Sequence, residues 1–180
     1  MTNPNQVQQH YRDAIGLFAT GITVLIAENK GVVRCMTANA VTSLSLDPTQ
    51  LIVCPSKNST FASILEPGVN FTVNILGIHQ EAVSNYFAGP QDEQNTQNDH
   101  YDLLFSPEYT APRLKDCIAS FACQLQHQHD GGDHWIVVGR VVELYKKPEE
   151  VKPLLYFGGQ YHHPSDISKA HLETTVDPYK

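Results

Sequence analysis

Residues 119–145, ASFACQLQHQHDGGDHWIVVGRVVELY, restrict the fold more than any other stretch of the chain. Phe121, Cys123 and Leu125 fall on every second position, the period at which one face of a strand turns inward. DGGD at 130–133 is a strong hairpin signal, and HWIVVGRVVELY returns as the second strand. VNFTVNILG (69–77) alternates as cleanly, with Val69, Phe71, Val73 and Ile75 on one face and Asn70, Thr72 and Asn74 on the other, so a half-buried strand is expected. ITVLIAE (22–28), VVRCM (32–36) and LIVCP (51–55) add β-branched apolar strands, the first two joined by the turn NKG and the last stopped by Pro55. The count is about six or seven strands, short and turn-linked.

Helices are few. Val7, Tyr11, Ile15 and Phe18 recur at helical spacing, which predicts an amphipathic helix over 5–18. Asn58 or Ser59 is placed to cap a short helix ending before Pro67-Gly68, and HQEAVSNYFAG (79–89) reads as a helix ended by Gly89-Pro90. Residues 91–102, QDEQNTQNDHYD, are polar and acidic and read as a long loop at a rim or lid. This pattern favours a mainly β fold, an antiparallel barrel with short helices on its rim. No GxGxxG follows a strand and no P-loop occurs, which argues against the usual dinucleotide fold.

With 180 residues, a single domain is the natural expectation, its core spanning about 10–161 and followed by a polar tail. No apolar run approaches the ~18 residues of a membrane span. The N-terminus MTNPNQVQQHYRD lacks a secretory pattern, so a cytoplasmic protein is expected. Cys35, Cys54, Cys117 and Cys123 form no CxxC pair and are expected to be free thiols. A net charge of −7 with no basic run argues against a nucleic-acid partner.

Two stretches concentrate small hydrogen-bonding side chains. TANAVTSLSLDP (37–48) carries no charge before Asp47, and its compact residues Thr37, Ala38, Asn39 and Thr42 would let a flat aromatic ring approach the backbone. CPSKNSTF (54–61) offers Ser56, Lys57, Asn58, Ser59 and Thr60 at the mouth of a short helix, donors suited to a phosphate. Turns and caps use the same residue types, so both readings stand on composition alone. HQHDGGDHW (127–135) admits a metal site, a solvated hairpin end, or a turn that sets one imidazole at a pocket edge. No third ligand is fixed and no HExxH occurs, so no metal is expected. Cys54, before a proline, reads as a packed small hydrophobe. The adjacent His residues of YHHP (161–164) point to opposite sides of an extended chain and make a poor shared site.

RDAIGLFATGITVLIA, MTANAVTSLSLDPTQLIVCPSKNST, FTVNIL, GDHWIVVGRVV and PLLYFGGQY occur in this order over residues 10–161. In order and spacing they resemble the flavin reductase-like, FMN-binding split-barrel family, the small reductase components of two-component flavin monooxygenases. The resemblance implies a Greek-key split barrel and an NAD(P)H:flavin oxidoreductase acting as a homodimer. It implies FMN, with FAD as the alternative, NADH or NADPH as hydride donor, and a monooxygenase that receives the reduced flavin. It implies that Thr37, Ala38, Asn39, Ala40, Val41, Thr42 and Ser43 lie against the flavin. It gives Ser56, Lys57, Asn58, Ser59 and Thr60 to the segment that holds the flavin phosphate, and adds Cys54, Pro55 and Tyr161 to the cofactor set. The turn Gly132-Asp133-His134 is the family's nicotinamide-side feature, with His134 next to the bound nucleotide. Many relatives carry a basic residue in the late segment that here reads Gly158-Gly159-Gln160-Tyr161.

Overall fold

The structure, a computed structural model, describes residues 4–89, 103–104 and 110–164. The loop expected at 91–102 and the polar tail beyond residue 164 lie outside the described residues. In chain order the elements are α1 (Pro4–Ile15), β1 (Thr20–Gly21), β2 (Thr23–Asn29), β3 (Val32–Ala38), β4 (Val41–Leu46), β5 (Thr49–Val53), α2 (Thr60–Ser63) and β6 (Asn70–Ile75). They continue with α3 (Glu81–Ala88), β7 (Leu103–Leu104), β8 (Arg113–Leu114), β9 (Ala119–Gly131), β10 (His134–Lys146), β11 (Leu155–Phe157) and β12 (Gln160–His162). No helix among the described residues is long and apolar enough to cross a membrane.

The main sheet has seven antiparallel strands in the order β3-β2-β6-β9-β10-β5-β4. Its two outer strands, β3 and β4, are consecutive in sequence and joined only by Asn39 and Ala40. The sheet therefore curls until its ends approach, and the ring is left split at that connection. The long hairpin behaves as expected: Gly132, at φ +86°, opens a two-residue loop between Gly131 and His134, at the position that such loops reserve for glycine.

Strand β2 carries four consecutive apolar residues, Val24 to Ala27, because both of its faces are covered there. Leu25 and Ala27 face the barrel interior with Phe61, Phe71, Val53 and Val137. Val24 and Ile26 face outward into a second cluster with Cys35, Phe87 from α3, and Leu154. Inside the barrel, Phe61 and Phe71 meet edge to face at 6.3 Å, a geometry that suits the ring quadrupoles.

The same second layer changes the reading of β6. Its Asn/Thr face was expected to meet water, yet Thr72 and Asn74 are both buried. Asn74 is a junction. Its amide nitrogen donates to Val24 O at 2.9 Å and to Thr72 Oγ1 at 2.9 Å, and its oxygen accepts from Leu114 N at 3.0 Å and Ser120 Oγ at 2.9 Å. A buried amide is tolerated where its donors and acceptors find such partners. Here the side chain binds the neighbouring strand β2 to the segment that crosses over the sheet.

Other expectations shift at their edges. The first helix ends at Ile15, three residues before the expected Phe18, where the N–H groups of Gly16, Leu17 and Phe18 close its last turns. The helix expected before Pro67 shrinks to the single turn of α2. Residues 41–46, too polar to have been read as a strand, form β4 at the sheet's edge, where one side of the strand needs no partner.

Gly139 sits where two layers of the barrel touch. A Cβ there would lie 2.6 Å from Phe71 Cζ and 2.9 Å from Cys123 Cβ, both in the packed interior. Gly139→Ala is therefore expected to lower stability by roughly 1–3 kcal/mol through overpacking. An unchanged urea midpoint would show that the barrel absorbs the extra methyl.

Candidate functional site

A cavity of about 1180 Å³ opens beside the split in the barrel. One part of its wall is the chain leaving α1, from Arg12 to Gly21. Asn39, Ala40, Val41 and Thr42 contribute the β3–β4 connection, and Ile52 and Cys54 the end of β5. Phe121 and Val73 come from the sheet, and Tyr156, Gly158 and Gly159 from the β11–β12 hairpin. That hairpin is anchored from both sides: β11 pairs with β1 through Thr20 and Tyr156, and Gly158 N donates to Gly16 O at 2.8 Å.

Five of the expected flavin residues, Asn39, Ala40, Val41, Thr42 and Cys54, thus meet in one wall. Their neighbours are held differently. Thr37 Oγ1 donates to Ser84 O at 2.6 Å, which ties β3 to α3. Ala38 is buried, and its carbonyl accepts from Thr23 Oγ1 at 2.7 Å. Ser43 is exposed on β4 and pairs through its backbone with Leu51. Tyr161 OH lies 2.8 Å from Ser84 Oγ, and its ring stacks edgewise on Tyr156, itself in the cavity wall. RDAIGLFATG carries part of the family resemblance but no assigned role in the sequence, and residues 12–21 supply a large part of the wall.

Two residues beyond Cys54 the chain joins the tip of the long hairpin. Ser56 forms a bridge with His134, Trp135 N donates to Pro55 O at 2.9 Å, and Lys57 N donates to Asp133 O at 3.0 Å. The expected phosphate segment and the expected nicotinamide turn are therefore one piece of structure. Gly132 N donates to Asp130 Oδ1 at 2.9 Å, and Lys57 Nζ lies 2.6 Å from Asp130 Oδ2 and 4.5 Å above the Trp135 ring. His134 Nδ1 lies 2.8 Å from Asp133 Oδ1, with the imidazole about half exposed. The hydrogen bond from His134 holds the Asp133 carboxyl below its usual range, so it is ionised at neutral pH and keeps the ring oriented. His127 and His129 stack at 5.9 Å on β9, but no group of three metal-ligating side chains occurs among the described residues.

The thiols contribute no nucleophile. Burial pushes the Cys35 and Cys123 thiols up to about 12 and raises Cys54 and Cys117 as well. A raised thiol is protonated and inert at neutral pH.

A bound flavin fits the cavity on two observations. Its lining is mostly apolar with small residues at Ala40, Gly158 and Gly159, where a planar ring can reach the backbone. Thr20, in the same wall, has a buried hydroxyl with no partner among the described residues. Such an orphan is costly unless a ligand satisfies it.

The model of the flavin reductase like domain matches residues 15–165. The chain belongs to that family. It is 36% identical over 155 residues to the reductase component of 4-hydroxyphenylacetate 3-monooxygenase of Thermus thermophilus, covering 86% of this chain and 95% of that one. It is 34% identical over 153 residues to the reductase subunit HsaB of a flavin-dependent monooxygenase of Rhodococcus jostii, covering 85% and 76%. Among solved structures of flavin reductases, the NADH:FAD oxidoreductase SgcE6 of Streptomyces globisporus, in complex with NAD and FAD fragments, superposes with a TM-score of 0.81 at 29% identity, covering 93% and 99%. The split barrel read from the sequence is the fold of these flavin reductases.

Ser59 has a structural duty whatever else it does. Its Oγ donates to Ser56 O at 2.7 Å and accepts from Ala62 N at 3.1 Å, capping α2. Ser59→Ala is expected to cost about 1 kcal/mol of stability, measured as a lowered denaturation midpoint. No change would mean that another group takes over the cap.

Proposed function

We propose that this chain is an NAD(P)H:flavin oxidoreductase that binds FMN, works as a homodimer and passes reduced flavin to a partner monooxygenase. The observation that carries the reading is the cavity wall at Asn39–Thr42, where compact uncharged residues converge with the Thr20 hydroxyl, which has no partner among the described residues. The relatives named as reductase components of monooxygenases support the partner class, and others named NADH-dependent flavin reductases support NADH as the donor.

A bound flavin supplies the ring that accepts a hydride from the nicotinamide. The chain's task is placement. Asn39 to Thr42 and the Gly158-Gly159 turn form a close-fitting wall, and Val73, Ile75 and Phe121 make it apolar, which excludes water. His134 acts as a positioning residue for the nucleotide, with Asp133 fixing its ring through Nδ1. Hydride transfer asks for no protein acid or base, and the inert thiols agree with a site built for orientation.

NADH added without oxygen to the protein with FMN is expected to bleach the flavin absorbance rapidly, and His134→Ala to raise the apparent KM for NADH with little change in FMN affinity. A wild-type protein that binds flavin but leaves it oxidised is a binding protein instead. A His134→Ala variant with wild-type kinetics at every NADH concentration removes His134 from the site.

The homodimer is supported by the apolar surface that one copy leaves bare. Val7, Tyr11 and Ile15 on α1 are all more than half exposed, and Leu17 and Phe18 continue the patch to the cavity rim at 67% and 72%. An apolar helix face of this kind is normally covered. A second copy would shield it and complete the open side of the cavity. Sedimentation is expected to give twice the chain mass of 20.0 kDa; a flavin-loaded monomer overturns the assignment.

A further inference from the structure

Lys57 is the one cation in CPSKNSTF, and it is held closely. Its side chain is 26% exposed, pinned by its backbone to Asp133, by its ammonium to Asp130, and by the face of Trp135. Asp130 is 73% exposed and uses both oxygens, one for the Gly132 amide and one for Lys57. Those two hydrogen bonds hold its carboxyl below the usual carboxylate range, so at neutral pH it is an anion. Any phosphate that reaches Lys57 meets an ammonium already neutralised.

We propose that Asp130 is a specificity-determining residue that acts through Lys57: its carboxylate is a built-in competitor for the phosphate of the bound flavin. The inference rests on the reading that residues 56–60 hold that phosphate. An anion bound to Lys57 must displace the carboxylate or share the ammonium with it, and the intrinsic affinity is reduced by the fraction of time Asp130 holds the site. The Trp135 face keeps the ammonium in place during the exchange, since a cation over an aromatic ring is retained after its counter-ion leaves. The consequence is selective: flavins with a phosphate are held less tightly than the donors around Lys57 would otherwise allow, and riboflavin is untouched. Related complexes differ in affinity mainly through their off-rates, so the competitor also hastens the departure of phosphorylated flavin. A weak hold suits a protein whose product must diffuse to another enzyme.

The test compares FMN with riboflavin binding, by fluorescence quenching at low salt, in the wild type and in Asp130→Asn, Lys57→Met and the double variant. Asn keeps an oxygen for the Gly132 amide, so the turn is preserved; matching circular dichroism and melting temperature verify this. Asp130→Asn is expected to tighten FMN about fivefold, the scale of an exposed ion pair, and to slow FMN dissociation, with riboflavin unchanged. Lys57→Met is expected to weaken FMN alone, and Asp130→Asn to have no further effect in that background. Unchanged or weaker FMN binding in Asp130→Asn overturns the proposal, as does equal tightening of both flavins. If Lys57→Met leaves the difference between FMN and riboflavin intact, the phosphate lies elsewhere, and the reading of residues 56–60 falls together with the proposal.

Discussion

Strand β10 hydrogen-bonds to β9 along one edge and to β5 along the other, and the site depends on that double pairing. Val137 lies opposite Val53 on one side and Gln128 on the other. With this register set, the chain beyond Val53 can only run alongside the start of β10, where Pro55, Ser56 and Lys57 meet Asp133, His134 and Trp135. Two segments about 78 residues apart are thereby delivered to one place by backbone geometry. A slip of one residue would turn every side chain of the strand to its opposite face and separate the two halves of the site.

Around this frame the chain spends its buried polar groups on alignment. Asn74 joins β6 to β2 and to the backbone at Leu114, and Thr72 donates to Pro112 O at 2.5 Å. These contacts fasten the segment before β9 against β6 and β2. On the other side Ser84 receives Thr37 and contacts Tyr161, which locks α3 to β3 and to the late hairpin whose tip lines the cavity. Several stretches of chain far apart in sequence reach the cavity, and small polar side chains and backbone pairing tie them back.

Much of this architecture was legible because it rests on local signals. DGGD and the alternation around it announce the hairpin, and the β-branched run of ITVLIAE announces a strand. What escaped depends on partners far away in sequence. Residues 41–46 look like a loop because their hydroxyls face open space at a sheet edge, where the usual demand for apolar side chains lapses. Asn74 reads as solvent-facing because nothing in VNFTVNILG shows that another segment will cover it. The residue types of the cavity wall at Asn39–Thr42 could be read, but not that Thr37 and Tyr161 would turn to Ser84, nor that residues 12–21 would line the cavity. The Lys57–Asp130 pair joins positions whose sequence gives no hint of contact.

The buried thiols have a consequence for the conditions under which such a protein works. A protein that releases a two-electron reductant into aerated water works beside peroxide, and peroxide attacks the thiolate form of cysteine. Burial holds the Cys35 and Cys123 thiols far above their usual range, so at neutral pH little thiolate is present at either. Packing that stabilises the barrel thus also shields these two sulfur atoms from the by-product of the protein's own chemistry.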